Sequence, residues 1–459
     1  MGAASSLPAG TAGRPAQDRV EQDPGHAAGL EHARRAEQAA ADVPEAAAAA
    51  PRPVRDIGVV GGGTMGAGIA VAALRAGYRV DMVERDAAGA ARGRANVESI
   101  LDGLVARQRL AADARDGLLA RFDAASDYAV LREADLVIEA AFEDMAVKHA
   151  VFAELDRVCR PGAILATNTS YLDVDAIAAG TSRPQDVIGL HFFSPAHVMK
   201  LLEIVVPARA AADVVASAFD LATTLGKIPV RAGVCDGFIG NRMLAAYRQA
   251  ANVLLEDGAS PYAIDAAIRG LGFPMGPFQV YDLAGGDINW AMRKRQAATR
   301  DPRLRYVQIA DRLCERGWFG QKTGRGWYRY APGERTGTED PDVLAIVDAE
   351  RARAGVTPRS FSPADIVRRY MAAMVNEGAN VVHEGIALRP LDVDVVLLNG
   401  YGFPRHLGGP MHYADTVGLA SILADIESYA ADDPLFWQPS PLLRQLVAQG
   451  RNFASLNPF

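Results

Sequence analysis

From residue 54 onward, short apolar runs alternate with a segment of helical periodicity, as expected for an α/β domain. The run RDIGVV is followed by GGGTMGAGIAVAALRAG and then by YRVDMVE. This succession predicts a strand, a helix and a second strand, that is, a βαβ unit. Further strands are predicted at ADLVIEA, AILATN, DVIGLHFF and LLEIVV, with a helix over residues 144–158. The pattern therefore predicts a doubly wound, mainly parallel sheet that ends near residue 235.

The rest of the chain has helical periodicity and contains an internal repeat. The segment NVLLEDGASPYAIDAAIRGLGFPMGP, which starts at Asn252, is similar to NVVHEGIALRPLDVDVVLLNGYGFPRHLGGP, which starts at Asn380. Asp282 and Asp415 follow the two copies at matching places. An offset of about 130 residues is too long for a solenoid unit and indicates a duplicated domain. We therefore predict two tandem all-α domains, joined by a linker over residues 331–342.

These patterns divide the chain into four parts. Residues 1–52 form an Ala-rich, low-complexity arm that we expect to be mostly disordered, although the tract 27–50 has the composition of a transient helix. The arm has no apolar block for a secretory signal, and its acidic residues argue against a mitochondrial transit peptide. We predict the sheet domain over 53–235 and the helical domains over 236–332 and 343–459.

Composition and charge disfavour several classes of protein. With 49% hydrophobic residues and no apolar run of about 18 residues, no membrane span is predicted. The net charge of -7 comes without a basic cluster, so nucleic acid is not an expected partner. The three cysteines lie far apart, and the histidines have no metal-ligand spacing. We predict a cytoplasmic protein that holds no metal.

The turn after the first predicted strand has the pattern G-x-G-x-x-G, formed by Gly61, Gly63 and Gly66. In this pattern the first glycine makes a tight turn, the second lets a pyrophosphate approach the backbone, and the third allows close packing of helix and strand. Thr64 and Met65 lie at the start of the helix, whose positive end favours phosphate. The alternative is a Gly-rich turn without a ligand. The strand and helix around it favour a Rossmann-type dinucleotide site.

The end of the second predicted strand carries Glu84, about 20 residues after the glycines, where a carboxylate binds the ribose hydroxyls of NAD. The same carboxylate would repel the 2'-phosphate of NADP. Arg79 and Arg85 lie nearby, and a guanidinium there could accommodate a phosphate. Glu84 nevertheless favours NAD as the cofactor.

The segment GLHFFSPAHVMKLLEIV places His191 at the end of one apolar strand and Glu203 inside the next. A carboxylate in the run LLEIV would be a buried charge without a partner unless the two strands pair and the imidazole meets it. The alternative is a hydrogen-bonded core histidine. Together with the dinucleotide pattern, the pair indicates a histidine base oriented by a carboxylate, because a free imidazole can accept a proton near neutral pH.

Five long motifs then give a specific resemblance. HFFSPAHVMKLLE, DGFIGNRML, GFPMGPF, FGQKTGRGWY and GYGFPRHLGGPM make residues 54–459 resemble the 3-hydroxyacyl-CoA dehydrogenases, and among them the dehydrogenase part of the peroxisomal-type bifunctional enzymes. The resemblance implies a Rossmann-type domain followed by a duplicated helical C-terminal domain. It also implies oxidation of (S)-3-hydroxyacyl-CoA to 3-oxoacyl-CoA, as in fatty acid β-oxidation, with hydride transfer to NAD+.

The resemblance also assigns residues to the catalytic site. His191 would take the proton from the substrate hydroxyl, and Glu203 would steady the imidazolium. Ser170 and Asn241 match polar residues that the family places near the substrate hydroxyl and the catalytic histidine. Their alternative interpretations are a turn serine at a strand end and an asparagine at a helix N-terminus.

Three further residues are assigned to the cofactor. Glu143 and Lys148 match positions that the family places beside the nicotinamide ribose, although a solvated helix start has a similar sequence. We also predict that Asn168, in TNTSYL, contacts the cofactor. We expect the acyl-CoA substrate in the cleft between the nucleotide domain and the first helical copy.

Two departures from the family pattern remain. Single-function members usually carry asparagine three residues after the histidine, and Ser194 stands there, as in the bifunctional branch. Only the Ala-rich arm precedes the glycine pattern, so hydratase activity is predicted to be absent. The second helical copy is expected to act as an internal pseudo-dimer mate, which predicts a monomer. Alternative functions are a dehydrogenase of another small hydroxy acid and a non-catalytic NAD-binding protein.

Overall fold

The computed structural model of the chain describes residues 24–297 and 300–458. An eight-stranded sheet is followed by helices and a small hairpin. The strands of the sheet are β1 (Asp56–Val60), β2 (Arg79–Val83), β3 (Phe122–Ala125), β4 (Leu136–Glu139), β5 (Ile164–Thr167), β6 (Val187–Phe192), β7 (Leu201–Val205) and β8 (Ile228–Ala232). The hairpin strands are β9 (Tyr328–Arg329) and β10 (Thr338–Glu339).

The sheet has the strand order β3-β2-β1-β4-β5-β6-β7-β8. All neighbours are parallel except β6 and β7, which pair antiparallel. Every residue of β4, β5, β6 and β7 is buried, because helices cover both faces of the sheet. The doubly wound fold predicted from the sequence is confirmed, and its helices are α1 (Pro24–Ala39), α2 (Pro44–Ala47), α3 (Thr64–Arg75), α4 (Ala87–Ala106), α5 (Ala112–Leu119), α6 (Met145–Val158), α7 (Val174–Ala179) and α8 (Ala212–Thr224).

The chain after β8 forms the helical part, in which the sequence repeat is also a structural repeat. Helices α9 to α12 of the first copy have the same order as α15 to α18 of the second. The helices are α9 (Gly240–Asp257), α10 (Pro261–Gly270), α11 (Pro277–Ala284), α12 (Gly286–Gln296), α13 (Ile309–Glu315), α14 (Pro341–Ala354), α15 (Pro363–His383), α16 (Pro390–Gly400), α17 (Pro410–Val417), α18 (Leu419–Tyr429) and α19 (Pro441–Ala448).

Each copy is held together internally by a buried aspartate at the equivalent position. Asp265 in α10 accepts a hydrogen bond from the backbone amide of Phe278 at 3.0 Å, and Asp394 in α16 accepts one from the amide of Met411 at 2.7 Å. Both acceptors are 0% exposed, so each carboxylate ties the start of the next helix to its own helix. The repeat therefore conserves its internal hydrogen bonds as well as its sequence.

The two copies pack against each other through equivalent elements. Helix α9 lies against α15, with the rings of Tyr247 and Tyr370 5.2 Å apart. Phe273 and Phe403, which occupy the same place in the two copies, are in edge contact at 5.3 Å. Contact between equivalent residues is the pattern of a two-fold symmetric interface. It is formed here inside one chain.

The N-terminal arm differs from the disordered segment predicted for residues 1–52. Residues 24–39 form α1, and Ala33, Ala36 and Ala40 are buried on one face of it. His32 Nε2 lies 2.8 Å from Asp394 Oδ2, where Asp265 of the first copy bonds a tyrosine hydroxyl. A face of small side chains lets α1 pack closely on the second copy, which explains its order; residues 1–23 lie outside the described part of the chain.

Candidate active site

The candidate active site lies where the parallel strands end, which we call the carboxyl edge. The glycine turn follows β1, Glu84 follows β2, and Asn168 follows β5. Glu139 is the last residue of β4, and His191 is the next-to-last residue of β6. The strand order reverses at β1, which lies between β2 and β4, so the connecting loops on its two sides run to opposite faces of the sheet. This leaves a crevice at the carboxyl end of β1, where such folds bind ligands.

The glycine turn has the geometry of a phosphate cradle. Gly61 has φ +100°, which favours glycine, and a Cβ on Gly66 would lie 1.8 Å from the carbonyl oxygen of Gly61. A Cβ on Gly63 would meet nothing within 4 Å, so this glycine faces open space. Thr64 and Met65 begin α3, and no side chain caps that helix. The open space and the uncapped amides fit a pyrophosphate.

Glu84 lies beside the glycine turn. Its Oε1 accepts a hydrogen bond from the amide of Gly62 at 2.7 Å, and its Oε2 accepts one from the amide of Arg85 at 3.1 Å. The carboxylate is thereby fixed next to the cradle. This position fits the ribose contact expected of it.

Glu143 and Lys148 belong to a network that the sequence did not show in full. Lys148 Nζ lies 2.7 Å from Oε1 of Glu139 and 3.6 Å from Oε2 of Glu143. Glu139 is 0% exposed and Lys148 is 1% exposed, so this is a buried ion pair. Glu143 Oε1 accepts hydrogen bonds from the Thr169 hydroxyl at 2.7 Å and the Ser170 amide at 2.8 Å. Together these bonds fix the loops after β4 and β5.

Glu139 belongs to this network of hydrogen bonds and ion pairs, but the sequence analysis did not identify it. The signal was available, because a carboxylate stands in the apolar run ADLVIEA as Glu203 does in LLEIV. A buried carboxylate needs a partner, and Lys148 is that partner. The argument used for Glu203 would have found this pair as well.

Asn168 and Ser170 follow β5. Asn168 Oδ1 accepts a hydrogen bond from the amide of Phe192 at 2.8 Å, so it ties the loop to the strand that carries His191. The Ser170 hydroxyl has no hydrogen-bond partner among residues 24–297 and 300–458. Its neighbour Tyr171 lines the large cavity described below.

His191 and Glu203 meet directly across the antiparallel pair β6 and β7, where they are register partners. His191 Nδ1 lies 2.6 Å from Glu203 Oε2, and the two residues are 4% and 0% exposed. Since the carboxylate accepts, Nδ1 carries the proton and Nε2 is left with a lone pair. The rings of Phe193 and Phe238 flank the imidazole at 4.5 and 5.6 Å. The imidazole is thus held in one orientation by a buried carboxylate.

The first turn of α9 completes the contacts of Glu203. Its Oε1 accepts hydrogen bonds from the amides of Ile239 at 3.2 Å and Gly240 at 2.9 Å. A helix N-terminus favours a negative charge, which offsets part of the cost of burying this carboxylate. Asn241 is the next residue, so the structure brings it to the same turn.

A cavity of about 770 Å³ opens beside Asn241. Tyr171 lines it from the sheet domain, Asp236 and Tyr281 from the first helical copy, and Phe436 from the second. The opening is therefore shared by three parts of the chain, whereas the sequence predicted a cleft between only two of them.

Comparison with protein-family models gives matches for both the sheet domain and the helical part. Residues 56–235 match the model described as 3-hydroxyacyl-CoA dehydrogenase, NAD binding domain. Residues 237–330 and again 366–454 match the C-terminal domain of the same enzyme family. The cofactor predicted from the glycine turn, NAD, is thus confirmed, and the duplicated helical segment is matched twice.

Individual proteins are also similar to this chain over most of its length. The peroxisomal bifunctional enzyme of Danio rerio is 45% identical over 87% of this chain, which spans 57% of that protein's length. A crystal structure of 3-hydroxybutyryl-CoA dehydrogenase from Escherichia coli K12 is 30% identical, with TM-score 0.75, covering 87% of this chain and all of that one. The dehydrogenase part of multifunctional enzyme 1 from C. elegans is 28% identical with TM-score 0.64, covering 86% and 90%.

These names contradict one prediction. The cytoplasmic location expected from the scattered cysteines is wrong, because the similar enzymes of Danio rerio and Homo sapiens are named as peroxisomal. Cysteine usage reports only on the redox state of a compartment. It does not distinguish one reducing compartment from another.

Among the helices of residues 24–297 and 300–458, none has both the length and the apolar character that a membrane span requires.

Proposed function

Because the chain belongs to the 3-hydroxyacyl-CoA dehydrogenase family, we propose that it oxidises the 3-hydroxyl group of an (S)-3-hydroxyacyl-CoA to a ketone with NAD+. The observation that supports this best is the buried pair of His191 and Glu203, 2.6 Å apart at the carboxyl edge. A base for the hydroxyl proton thus lies at the same edge as the phosphate cradle. The reaction needs one acceptor for a proton and one for a hydride, and the proposed base and the proposed NAD site would supply them.

In this reaction His191 Nε2 accepts the proton of the substrate hydroxyl. When bound, NAD+ would supply the acceptor for the hydride that leaves C3. The proton leaves His191 positively charged, and Glu203 stabilises this imidazolium while holding Nδ1–H toward itself. General base catalysis by such a histidine contributes about 10² to 10⁴ in rate.

Asn241 and Ser170 position the substrate in this proposal. Asn241 lines the cavity and lies in the turn that binds Glu203, so its amide can donate to the 3-oxygen. Ser170 follows the end of β5 and offers a hydroxyl without a partner in the described chain. Both act by orienting the hydroxyl toward His191, since rates depend steeply on the alignment of reacting groups.

The cofactor is held along the carboxyl edge. Gly61, Gly63 and Gly66, with the start of α3 at Thr64 and Met65, would take the pyrophosphate, and Glu84 the adenosine ribose. Toward β6, Glu143 and Asn168 would face the nicotinamide half, and the buried Lys148 would hold Glu143 in place. The acyl-CoA would enter the 770 Å³ cavity, which reaches Asn241 from the helical side.

The direct test is NADH formation from 3-hydroxyacyl-CoAs of several chain lengths, compared with small hydroxy acids that lack CoA. We expect turnover with the CoA thioesters at rates far above those with the free acids. Equal or better turnover of a free hydroxy acid would contradict the substrate class. Tight NADH binding without turnover of any of them would mean that the protein binds the cofactor without catalysis.

Replacing Glu84 with alanine is expected to relax cofactor preference. The ratio of kcat/KM for NAD+ to that for NADP+ should fall by about tenfold or more, because the carboxylate that repels the 2'-phosphate is gone. Glu133→Ala, at an exposed position just before β4, is the matched control and should leave the ratio unchanged. An unchanged ratio in Glu84→Ala would place the adenosine ribose elsewhere.

The chain is expected to be a monomer in solution. Equivalent elements of the two helical copies already cover each other, as α9 and α15 do, so the face that a single copy would offer to a second subunit is filled. Sedimentation equilibrium should therefore give a mass near 48.7 kDa. A mass of twice that value, independent of concentration, would contradict this prediction.

A further inference from the structure

Tyr401 belongs to the second helical copy but lies at the candidate active site. It follows α16 directly and occupies the place that Leu271 holds in the first copy. Its hydroxyl donates a hydrogen bond to Asn241 Oδ1 at 3.0 Å. Its ring is in edge contact with Phe193 at 5.8 Å, and Phe193 in turn packs on His191.

The first turn of α9 is shaped to receive this side chain. A Cβ on Gly240 would lie 2.5 Å from the Tyr401 hydroxyl oxygen, so only glycine leaves room for the ring. The same Gly240 donates its amide to Glu203. Tyr401 therefore packs on the turn that carries both the carboxylate contact and Asn241.

The hydrogen bond determines which way the Asn241 amide points. With Oδ1 occupied by the tyrosine hydroxyl, the two Nδ2–H donors are left over, and they have no partner among the described residues. Asn241 lines the cavity, so these donors are available to an oxygen in it. Burial raises the pKa of Tyr401 well above its ordinary value, which keeps the phenol a donor at working pH.

We propose that Tyr401 is a positioning residue: the second helical copy supplies it to fix the Asn241 amide with its N–H donors toward the substrate 3-oxygen. This inference rests on the proposed dehydrogenase function. It gives the duplicated domain a role in the chemistry, since without the second copy the asparagine loses the bond that orients it. The two copies are therefore coupled to one active site.

A second set of contacts holds this interface in register. Arg242, the residue after Asn241, forms ion pairs with Glu377 of α15 and with Glu384 just after it. These ion pairs tie the first turn of α9 to the second copy. They fix the backbone of that turn, whereas Tyr401 fixes the side chain of Asn241.

The test is Tyr401→Phe, which removes only the hydroxyl. We expect kcat for a 3-hydroxyacyl-CoA to fall about fivefold to tenfold, the size of one hydrogen bond, with the Kd of NADH unchanged. Asn241→Ala should lower kcat further. Adding Tyr401→Phe to Asn241→Ala should cause no additional loss, because the group that the tyrosine orients is then absent.

Tyr413→Phe is the matched control, since Tyr413 lies in the same copy and its hydroxyl has no hydrogen bond within residues 24–297 and 300–458. Its kcat should equal that of the unmodified chain. An unchanged kcat in Tyr401→Phe, or the same loss in both backgrounds, would overturn the inference and leave the proposed function standing. If the unmodified chain turned over no 3-hydroxyacyl-CoA, both would fall together.

Discussion

His191→Gln is expected to lower kcat for 3-hydroxyacyl-CoA by about 10² to 10⁴, the largest loss of any single change in this chain. Glutamine can accept and donate hydrogen bonds at a similar distance, but it cannot take a proton near neutral pH. The alcohol would then have to lose its proton to water while the hydride leaves. The loss should appear in kcat, measured as NADH formation at saturating substrate.

The binding of NAD should survive this change. The phosphate cradle at Gly61 and Gly63 lies after β1, whereas His191 lies on β6, with β4 and β5 between them. The Kd of NADH, measured by fluorescence titration, should therefore change less than about threefold, which is below one kcal/mol. His149→Gln, a half-buried histidine of α6, is the control. Normal turnover in His191→Gln would end the proposed role.

Much of the sheet could be predicted because its central strands are buried on both faces. β1, β4, β5, β6 and β7 read as short apolar runs, and such runs are the signature of strands inside an α/β sheet. The two strands that the sequence did not reveal, β3 and β8, are the two edges. β3 carries an exposed aspartate, and β8 contains Pro229, which an edge strand tolerates. The pattern fails at the edges, where polar residues and a proline interrupt the apolar run.

The candidate site, like the sheet, has parts that could be predicted from the sequence and parts that could not. His191 and Glu203 could be paired from the sequence because they lie 12 residues apart in adjacent strands, so a local argument about a buried charge was sufficient. Tyr401 reaches Asn241 across 160 residues. That contact depends on how two helical copies pack, which no local pattern encodes. The composition indicated a transient helix in the Ala-rich arm, but the stable packing of α1 was not predicted, since it depends on contact with the second copy.

The duplication therefore affects more than stability. In the first copy, α9 supplies Asn241 and the amides that hold Glu203. The second copy supplies Tyr401, which stands where the first copy has Leu271 and contacts that very turn. The two copies of the repeat thus have different roles at their pseudo-symmetric interface. The sheet domain breaks the symmetry, because it contacts the first turn of α9 in the first copy through Glu203. The asymmetry explains how a repeat without a second nucleotide domain still bears on catalysis.

Glu203→Gln is expected to lower kcat by about 10²-fold or more, although it preserves the shape of the side chain. The carboxylate now accepts from His191 Nδ1 at 2.6 Å and from two backbone amides. A carboxamide can keep the amide bonds through its oxygen, but its NH₂ group then faces Nδ1. Nδ1 must become the acceptor, so the imidazole proton moves to Nε2, and the nitrogen that should take the substrate proton already carries one.

The loss in Glu203→Gln is expected to persist at high pH, because deprotonating the solution does not return the imidazole proton to Nδ1. A wrong tautomer predicts that kcat of Glu203→Gln stays low even at pH 9, where a free imidazole is neutral, while Kd for NADH is unaffected. Glu350→Gln, a buried carboxylate of α14 paired with Arg312, controls for the loss of a buried charge. Turnover of Glu203→Gln equal to that control would show that the histidine needs no orienting partner.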